Sequence, residues 1–434
     1  MPIRPIPEDV EEQADSSARL KHIQRQTSIW YTAGSLLLAL QSLIMLVVLT
    51  RVCDVYVAGV FTIAFANANL FLNVGKFGMR KFHASDRKGQ FTFEEYRASR
   101  IATCIAMIMA SSAYIAFCAA TLNYSNDKTL VMIIMCVFKA VEAFEDVYTG
   151  AYQLEDRLDV GARMFTIRAG VTIAVFALLT VAFGSLLPAL SISTVFTALF
   201  LAGQVLYVRK RYGMPHAEGY RGLTNVVSLI RECLPVFVAD FLLFYMGNAS
   251  KYAIDAIMDD AAQAYFGYIS MPVFVVMLLA SFVYTPMIGS LTDQWQAGKI
   301  KAFALRFAKL VGLVTALTLA CDIAAFAIGI PVLNILYNAS LEQYRVELIV
   351  LMTGGGFLAL ATLATLGITI VRFQKTLIPL YGIVAILAYL ISNWAVTAFG
   401  ITGASWAYFA VMATNAIVFS ATFLIGMKLK RVEP

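Results

Sequence analysis

The sequence predicts an all-α, polytopic membrane protein of about twelve transmembrane helices, and three observations carry that prediction. Hydrophobic residues make up 60% of the chain and charged residues 14%, where soluble domains average about 25% charged; mean hydropathy is +0.75. Apolar runs of membrane-crossing length, about 20 residues, fill nearly every window outside the termini. Lysine and arginine gather in alternate connections between these runs, as charges that set membrane orientation do.

In chain order, the crossings fall near residues 27–50, 56–79, 100–122, 129–152, 163–187, 190–208, 224–247, 262–290, 303–329, 347–371, 376–398 and 401–427. Residues 1–26 are polar, with acids and bases mixed, and no small-residue cleavage pattern follows them; they read as a cytoplasmic tail, not a signal peptide. With the N-terminus inside, the inner segments hold 28 of the 33 Lys and Arg residues. The outer segments hold only Arg51, Lys128, Lys251 and Arg345, and Lys139 lies within a span. Both termini are therefore expected in the cytoplasm, 428–434 forming the second tail, with the chain in the cytoplasmic (inner) membrane.

The basic stretch 209–223 divides the crossings into two six-helix bundles, 27–208 and 224–427. AGVFTIAFANANLFLNVGKFGM, from Ala58, has the texture of QAYFGYISMPVFVVMLLASFVYTPM, from Gln263. With an even number of spans in each half, such a repeat predicts bundles related by a pseudo-twofold axis along the membrane normal.

Several function classes are disfavoured. The net charge of +6 is spread between apolar segments, so it signals topology and not nucleic acid. Cys53, Cys104, Cys118, Cys136, Cys233 and Cys321 form no CxxC pair and sit mostly in apolar runs, which predicts neither metal nor disulfides. There is no GxxxxGK[ST] loop, no HExxH and no GxSxG elbow. His22, His83 and His216 all fall in inner segments, and no connection is long enough to fold as a soluble domain. The chain reads as a non-enzyme without catalytic residues or cofactors.

One stretch breaks the apolar pattern. VMIIMCVFKAVEAFEDVYTGAYQLEDRLDVGARMFTIR, residues 131–168, carries Lys139, Glu142, Glu145 and Asp146 inside a crossing, followed by Arg157, Arg163 and Arg168. At about 100° per residue, Lys139, Glu142, Asp146, Thr149 and Gln153 share roughly one quarter of the helix surface. A charge at membrane depth costs at least about 2.5–3.5 kcal/mol, so the stripe must face a cavity or partner groups. It is either an ion-pair network gluing helices together or a polar pathway, and the pathway is the preferred reading.

Three stretches in order resemble the prokaryotic oligosaccharide-lipid and polysaccharide (Wzx-like) flippases of the multidrug/oligosaccharidyl-lipid/polysaccharide exporter superfamily. They are FGMRKFHASD (Phe77 to Asp86, followed by Tyr96 and Arg100), EAFEDVYTGAYQLEDRLDVGARMFTIR (Glu142 to Arg168) and NASKYAIDAIMDDAAQAYFGYISMP (Asn248 to Pro272). Ser250 stands before Lys251 where the pattern leads one to look for proline, which leaves the turn geometry there open. The resemblance implies movement of a glycan on a polyprenyl-pyrophosphate carrier to the outer leaflet, for polysaccharide or lipopolysaccharide biosynthesis at the cell envelope. It also implies two bundles rocking about a central cavity.

On that footing the pyrophosphate and glycan candidates are Lys139, Arg80, Arg163, Arg168, Arg51, Lys251, Gln153, Tyr148 and Tyr152. Arginine and lysine suit phosphate through charge-assisted hydrogen bonds. Topology alone also accounts for Arg80, Arg163 and Arg168, and turn pairs with Asp54 and Asp255 for Arg51 and Lys251. Glu142, Asp146, Asp240 and Asp322 are candidates for a coupling Na⁺ or proton, or for ion pairing within the bundle. Gly354, Gly355 and Gly356 interrupt the tenth span, either for close packing or as a moving bend, and Pro235, Pro272 and Pro379 fall inside others. Asn123, Asn248 and Asn338 open Asn-x-Ser patterns and read as turn residues. Partners are the bilayer, the lipid-linked glycan and cytoplasmic glycosyltransferases docked on the basic face. Other cargo (a peptidoglycan precursor, a teichoic-acid unit or a drug) and a role as membrane subunit of a synthase complex remain alternatives.

Overall fold

A computed structural model describes residues 8–430, with 85, 87, 88 and 214–218 excepted. Parts of both tails and of the 209–223 linker, with Arg4, Arg87, Lys88, His216 and Arg431, lie outside the described residues. The described residues are helical apart from short connections. Its order is α1 (Glu8–Val52), α2 (Val55–Lys76), α3 (Met79–His83), α4 (Phe93–Leu122), α5 (Asn126–Leu154), α6 (Leu158–Phe183), α7 (Leu186–Tyr212) and α8 (Leu223–Ile257). There follow α9 (Asp260–Ser270), α10 (Val273–Tyr284), α11 (Ile288–Gln296), α12 (Ile300–Ala324), α13 (Ile330–Tyr337), α14 (Arg345–Ile370) and α15 (Leu377–Lys430).

Among the described residues nine segments are long and apolar enough to cross a membrane. The 29-residue α5, the 35-residue α8 and the division of α15 at Gly400 account for the remaining predicted crossings. Gly400 has φ 57° and ψ −132°, a region open to glycine alone, and it splits α15 into two arms.

Helix ends follow local chemistry. Phe77 and Gly78 at positive φ stop α2 before α3, and Gly184, at φ 59°, ends α6. Thr92 and Glu95 make a capping box at α4: the Thr92 amide donates to Glu95 Oε2 at 2.9 Å, and the Glu95 amide to Thr92 Oγ1 at 3.3 Å. Asp259 caps α9 by accepting from the Ala262 amide at 2.8 Å.

Two expectations change, and one helix runs longer than its apolar segment. Residues from Glu8 onward continue α1 upstream of its apolar run, because mixed charges outside the apolar run do not stop a helix. Asn123 and Asn338 do end helices at positive φ, but Asn248 lies inside α8 and donates to the Phe244 carbonyl at 3.1 Å. The outer turn looked for at Asn248–Lys251 is thus continuous helix, and Ser250 Oγ donates to the Ala404 carbonyl at 2.8 Å. Gly354, Gly355 and Gly356 do not interrupt α14. A Cβ on each would come within 2.8 Å of Tyr408, 2.8 Å of Val273 and 2.2 Å of Thr318 respectively. They are close-packing positions toward three different neighbours.

The chain packs as two compact units. One comprises Met1–Met45, Phe71–Tyr114 and Ile133–Leu234; the other comprises Leu46–Leu70, Ile115–Met132 and Pro235–Pro434. In the first, Met79, Phe93, Tyr96, Tyr148, Tyr152 and Leu229 belong to an aromatic-rich core. Beside it, buried Asp86 accepts from the amides of Gln90 and Phe91 and from the Tyr96 hydroxyl, while His83 stacks on Tyr96 at 3.7 Å. The core of the second is built on α8 to α12, α14 and α15. There α2 and α9 approach closely: a Cβ on Gly59 would fall 1.7 Å from the Asp260 carbonyl oxygen, and one on Gly267 would fall 2.7 Å from Thr62 Oγ1.

Candidate functional site

The charged stripe of α5 is buried in the first unit, and the cations that meet it come from four other helices. Glu142 bridges two lysines, one on each oxygen. Lys76, in the last turn of α2, lies 2.8 Å from Oε1, and Lys139 lies 2.9 Å from Oε2. Lys139 also donates to Gln41 Oε1 of α1 at 2.7 Å. One turn along, Asp146 Oδ2 accepts from Arg100 of α4 at 3.0 Å, and Asp146 Oδ1 lies 3.6 Å from Arg80 of α3. Arg100 is fixed further by donating to the Gly75 carbonyl at 2.6 Å, an acceptor freed where α2 ends.

Arg168 of α6 donates through Nε to Glu145 Oε2 at 2.6 Å, with both side chains almost wholly buried. The opposite atoms of this pair, Arg168 Nη2 and Glu145 Oε1, are buried without a hydrogen-bond partner. Arg80 Nε donates to Gln153 Oε1 at 3.2 Å, and its guanidinium lies 5.7 Å from the Tyr31 ring centroid.

These groups surround a cleft of about 130 Å³, smaller than the roughly 300–1,000 Å³ of drug-sized ligand pockets. Tyr31, Ser35, Lys76, Arg80, Glu142, Glu145, Asp146, Thr149 and Arg168 line it, with Leu38 and Phe165 as apolar walls. Lys139 and Arg100 pair with its acids. Lys76, Arg80, Arg100, Lys139 and Arg168 stand against Glu142, Glu145 and Asp146, so this group of eight carries two more positive than negative charges. Cations hold both oxygens of Glu142 and both of Asp146, so an entering anion has to compete with these carboxylates for its partners.

Of the residues nominated from sequence, Lys139, Arg80, Arg168, Gln153, Glu142 and Asp146 come together here. Others do not. Tyr148 packs against Phe93 and Phe144, and Tyr152 donates to the Gly213 carbonyl at 3.0 Å, both in the aromatic core. Arg163 stacks on Trp30 at 5.4 Å. Arg157, in the connection after α5, holds Asp159 in a bidentate pair at 2.9 and 3.1 Å; these hydrogen bonds push its already high pKa further up.

In the second unit, Arg51 donates to the Ile335 carbonyl instead of pairing with Asp54, whose carboxylate accepts from the Val57 amide at 3.0 Å. Asp255 pairs with Lys128 and not with Lys251; Lys251 and Asp240 lie on α8. Asp322 accepts from Thr353 Oγ1 at 3.0 Å. Sequence reasoning passed over Lys76 and Arg100 as topogenic and gave Gln41 no role. The one available signal was that Lys76 and Arg100 end and begin apolar segments, where a side chain can turn inward as readily as outward.

No family model matches the chain, and no curated protein matches it. Solved structures do. A multidrug resistance MATE family transporter of the MOP superfamily, in an inward-facing conformation, aligns with TM-score 0.68 and 11% identity, over 91% of this chain and 96% of its own. The lipid II flippase MurJ, in an inward closed conformation, aligns with TM-score 0.68 and 12% identity, over 91% and 87%. The Vibrio cholerae MATE transporter VcmN, in its bent form, aligns with TM-score 0.60 and 10% identity, over 95% and 98%. The chain has the fold of these transporters and is a multi-pass membrane protein of that architecture.

Proposed function

We propose that this chain is a flippase carrying a polyprenyl-pyrophosphate-linked oligosaccharide from the inner to the outer leaflet of the cytoplasmic membrane by alternating access. The observation that carries the reading is the charge in and directly behind the cleft: Lys76, Arg80 and Arg168 in its lining, and Lys139 and Arg100 paired with its acids, make five cations against Glu142, Glu145 and Asp146, with one lysine on each oxygen of Glu142. A pyrophosphate diester brings about two negative charges, which guanidinium and ammonium groups neutralise through charge-assisted hydrogen bonds. A drug exporter for cationic cargo has no use for a positive balance at this depth. The fold shared with the lipid II flippase supports a lipid-linked cargo, and a peptidoglycan precursor is the second reading because it offers the same head-group chemistry.

In this reading both termini are cytoplasmic, and the halves 27–208 and 224–427 move against each other during transport. Lys251 and Arg51 serve as later stops for the head group, and Asp240 or Asp322 carries a coupling Na⁺ or proton. Cytoplasmic glycosyltransferases deliver the loaded carrier to the basic inner face. The test is flipping of a fluorescent polyprenyl-pyrophosphate oligosaccharide in proteoliposomes. Transport by the parent, lost in Lys139→Ala despite normal insertion, is expected. Transport unchanged in Lys139→Ala and in Lys76→Ala returns those charges to helix packing. A well-folded parent that moves no lipid-linked glycan overturns the proposal in favour of a synthase-complex subunit.

A further inference from the structure

Helix α12 carries a lysine where membrane orientation does not require one. Between Ile288 and Leu310 the cations are Lys299, Lys301, Arg306 and Lys309, against Asp293 alone, and no further acid occurs before Asp322. Lys299 and Lys301 lie at the turn that opens the helix, where charges that set orientation belong. Arg306 turns toward α11 and donates to Ser290 Oγ. Lys309 does neither. It lies roughly 14 Å along the axis from Ile300, at about 1.5 Å per residue, within a segment long and apolar enough to cross a membrane.

Lys309 is exposed, and so are its neighbours on that face: Leu305 is 61% exposed, Leu313 52% and Leu319 57%. At about 100° per residue, Lys309 falls between Leu305 and Leu313, each roughly 40° away. A strip of open leucines is a face turned to acyl chains and not to a wet cavity. Among the described residues neither Lys301 nor Lys309 forms an ion pair. An ammonium on such a face is costly unless its stem carries it to a polar group at the head-group level. The helix geometry allows that. Side chains lean toward the N-terminus of their helix, so Lys309 extends over Leu305 toward the level of Lys301, which is also exposed and on the same side. Trp295 of α11, half-buried and 5.3 Å from Phe303, stands at this end of α12, and tryptophan favours the membrane–water boundary.

We propose that Lys301 and Lys309 hold the phosphate of an anionic glycerophospholipid whose acyl chain lies along Leu305 and Leu313. The site uses no residue of the cleft on α5 and does not depend on the head-group reading. Two ammonium groups on one phosphodiester favour an anionic head group over a zwitterionic one, because choline brings its own cation to the phosphate. Lying open at the helix surface, the contact weakens as salt is raised.

The test is native mass spectrometry of the full chain in neutral detergent, titrated with phosphatidylglycerol or phosphatidylcholine, which resolves each lipid bound. The parent is expected to take its first phosphatidylglycerol about tenfold more tightly than phosphatidylcholine. Lys309→Leu and Lys301→Gln should each reduce that preference about fivefold, the worth of one lysine at an anionic head group. Lys309→Leu places an apolar residue on an apolar face, so its folding is not at risk. Lys309→Arg should keep the preference, and so should Lys210→Gln, which removes an exposed charge from the last turn of α7. A parent without the preference, or Lys309→Leu retaining it in full, overturns the proposal. An equal loss in Lys210→Gln also overturns it, because the attraction is then to overall positive charge and not to this face. A polyprenyl phosphate that binds the parent more tightly than phosphatidylglycerol, and loses that binding in Lys309→Leu, overturns the glycerophospholipid as occupant in favour of a carrier lipid.

Discussion

The buried pair of Arg168 and Glu145 offers a sharp test of whether the charges on α5 are paired as described. Both side chains are almost entirely excluded from solvent, and the Nε to Oε2 distance is 2.6 Å. Replacing Arg168 by Met keeps the volume and removes the charge, which leaves Glu145 buried with neither carboxylate oxygen hydrogen-bonded, since Oε1 already lacks a partner. Breaking a buried pair in this way costs about 3–5 kcal/mol, whereas replacing both members by apolar groups of similar size is close to neutral. Arg168→Met should therefore lower the unfolding midpoint strongly, Glu145→Leu should do likewise, and the double variant should recover most of the loss. Denaturant unfolding in micelles, read as a double-mutant cycle, measures the coupling between the two positions. A double variant no more stable than the worse single one would refute the pairing, because it would show each side chain stabilised by separate neighbours.

Further outcomes follow from other contacts. Lys139→Met should reduce pyrophosphate affinity by at least tenfold, about 1.4 kcal/mol, while Lys139→Gln keeps the polar contact with Gln41 and preserves folding; calorimetry and thermal unfolding separate the two effects. Gly356→Val should prevent α14 from packing on α12, because its Cβ would sit 2.2 Å from Thr318 Cγ2, with a loss of about 1–3 kcal/mol or more in unfolding experiments. Gly312→Ala, with no heavy atom near its added Cβ, should be tolerated in the same assay. Tyr96→Phe removes one of the three hydrogen bonds that Asp86 accepts among the described residues and should cost about 1.5–3 kcal/mol, as a bond to a charged acceptor does. A loss within about 0.5 kcal/mol would show that the Tyr96 hydroxyl is not needed to hold that carboxylate.

Much of the fold was legible because hydropathy and charge are local properties. Each apolar run must close its own backbone hydrogen bonds as a helix in lipid, whatever surrounds it. The run from residue 131 announced its buried stripe in the same way, since Lys139, Glu142 and Asp146 are one and two turns apart on a single helix. The reach of α8 past Asn248 was not legible, because Asn-Ala-Ser-Lys is turn-like in isolation. It stays helical because Ser250 finds an acceptor on α15 and Asp255 finds Lys128. The glycines of α14 were equally ambiguous until the neighbours they admit were known.

By itself, then, the sequence determined an all-helical membrane protein, the spacing of its crossings and the presence of an ionised face on one of them. Only the tertiary structure decided which cation meets which acid. Lys76 and Arg100 looked like residues that merely mark the inner boundary, yet they hold Glu142 and Asp146. Lys128 looked like an outer stray, yet it closes Asp255 and Asp260. The reason is physical: a helix end places a long side chain anywhere on a wide arc, and the choice among buried partners is made by the neighbouring helices, which desolvate the charge and leave one geometry that satisfies it.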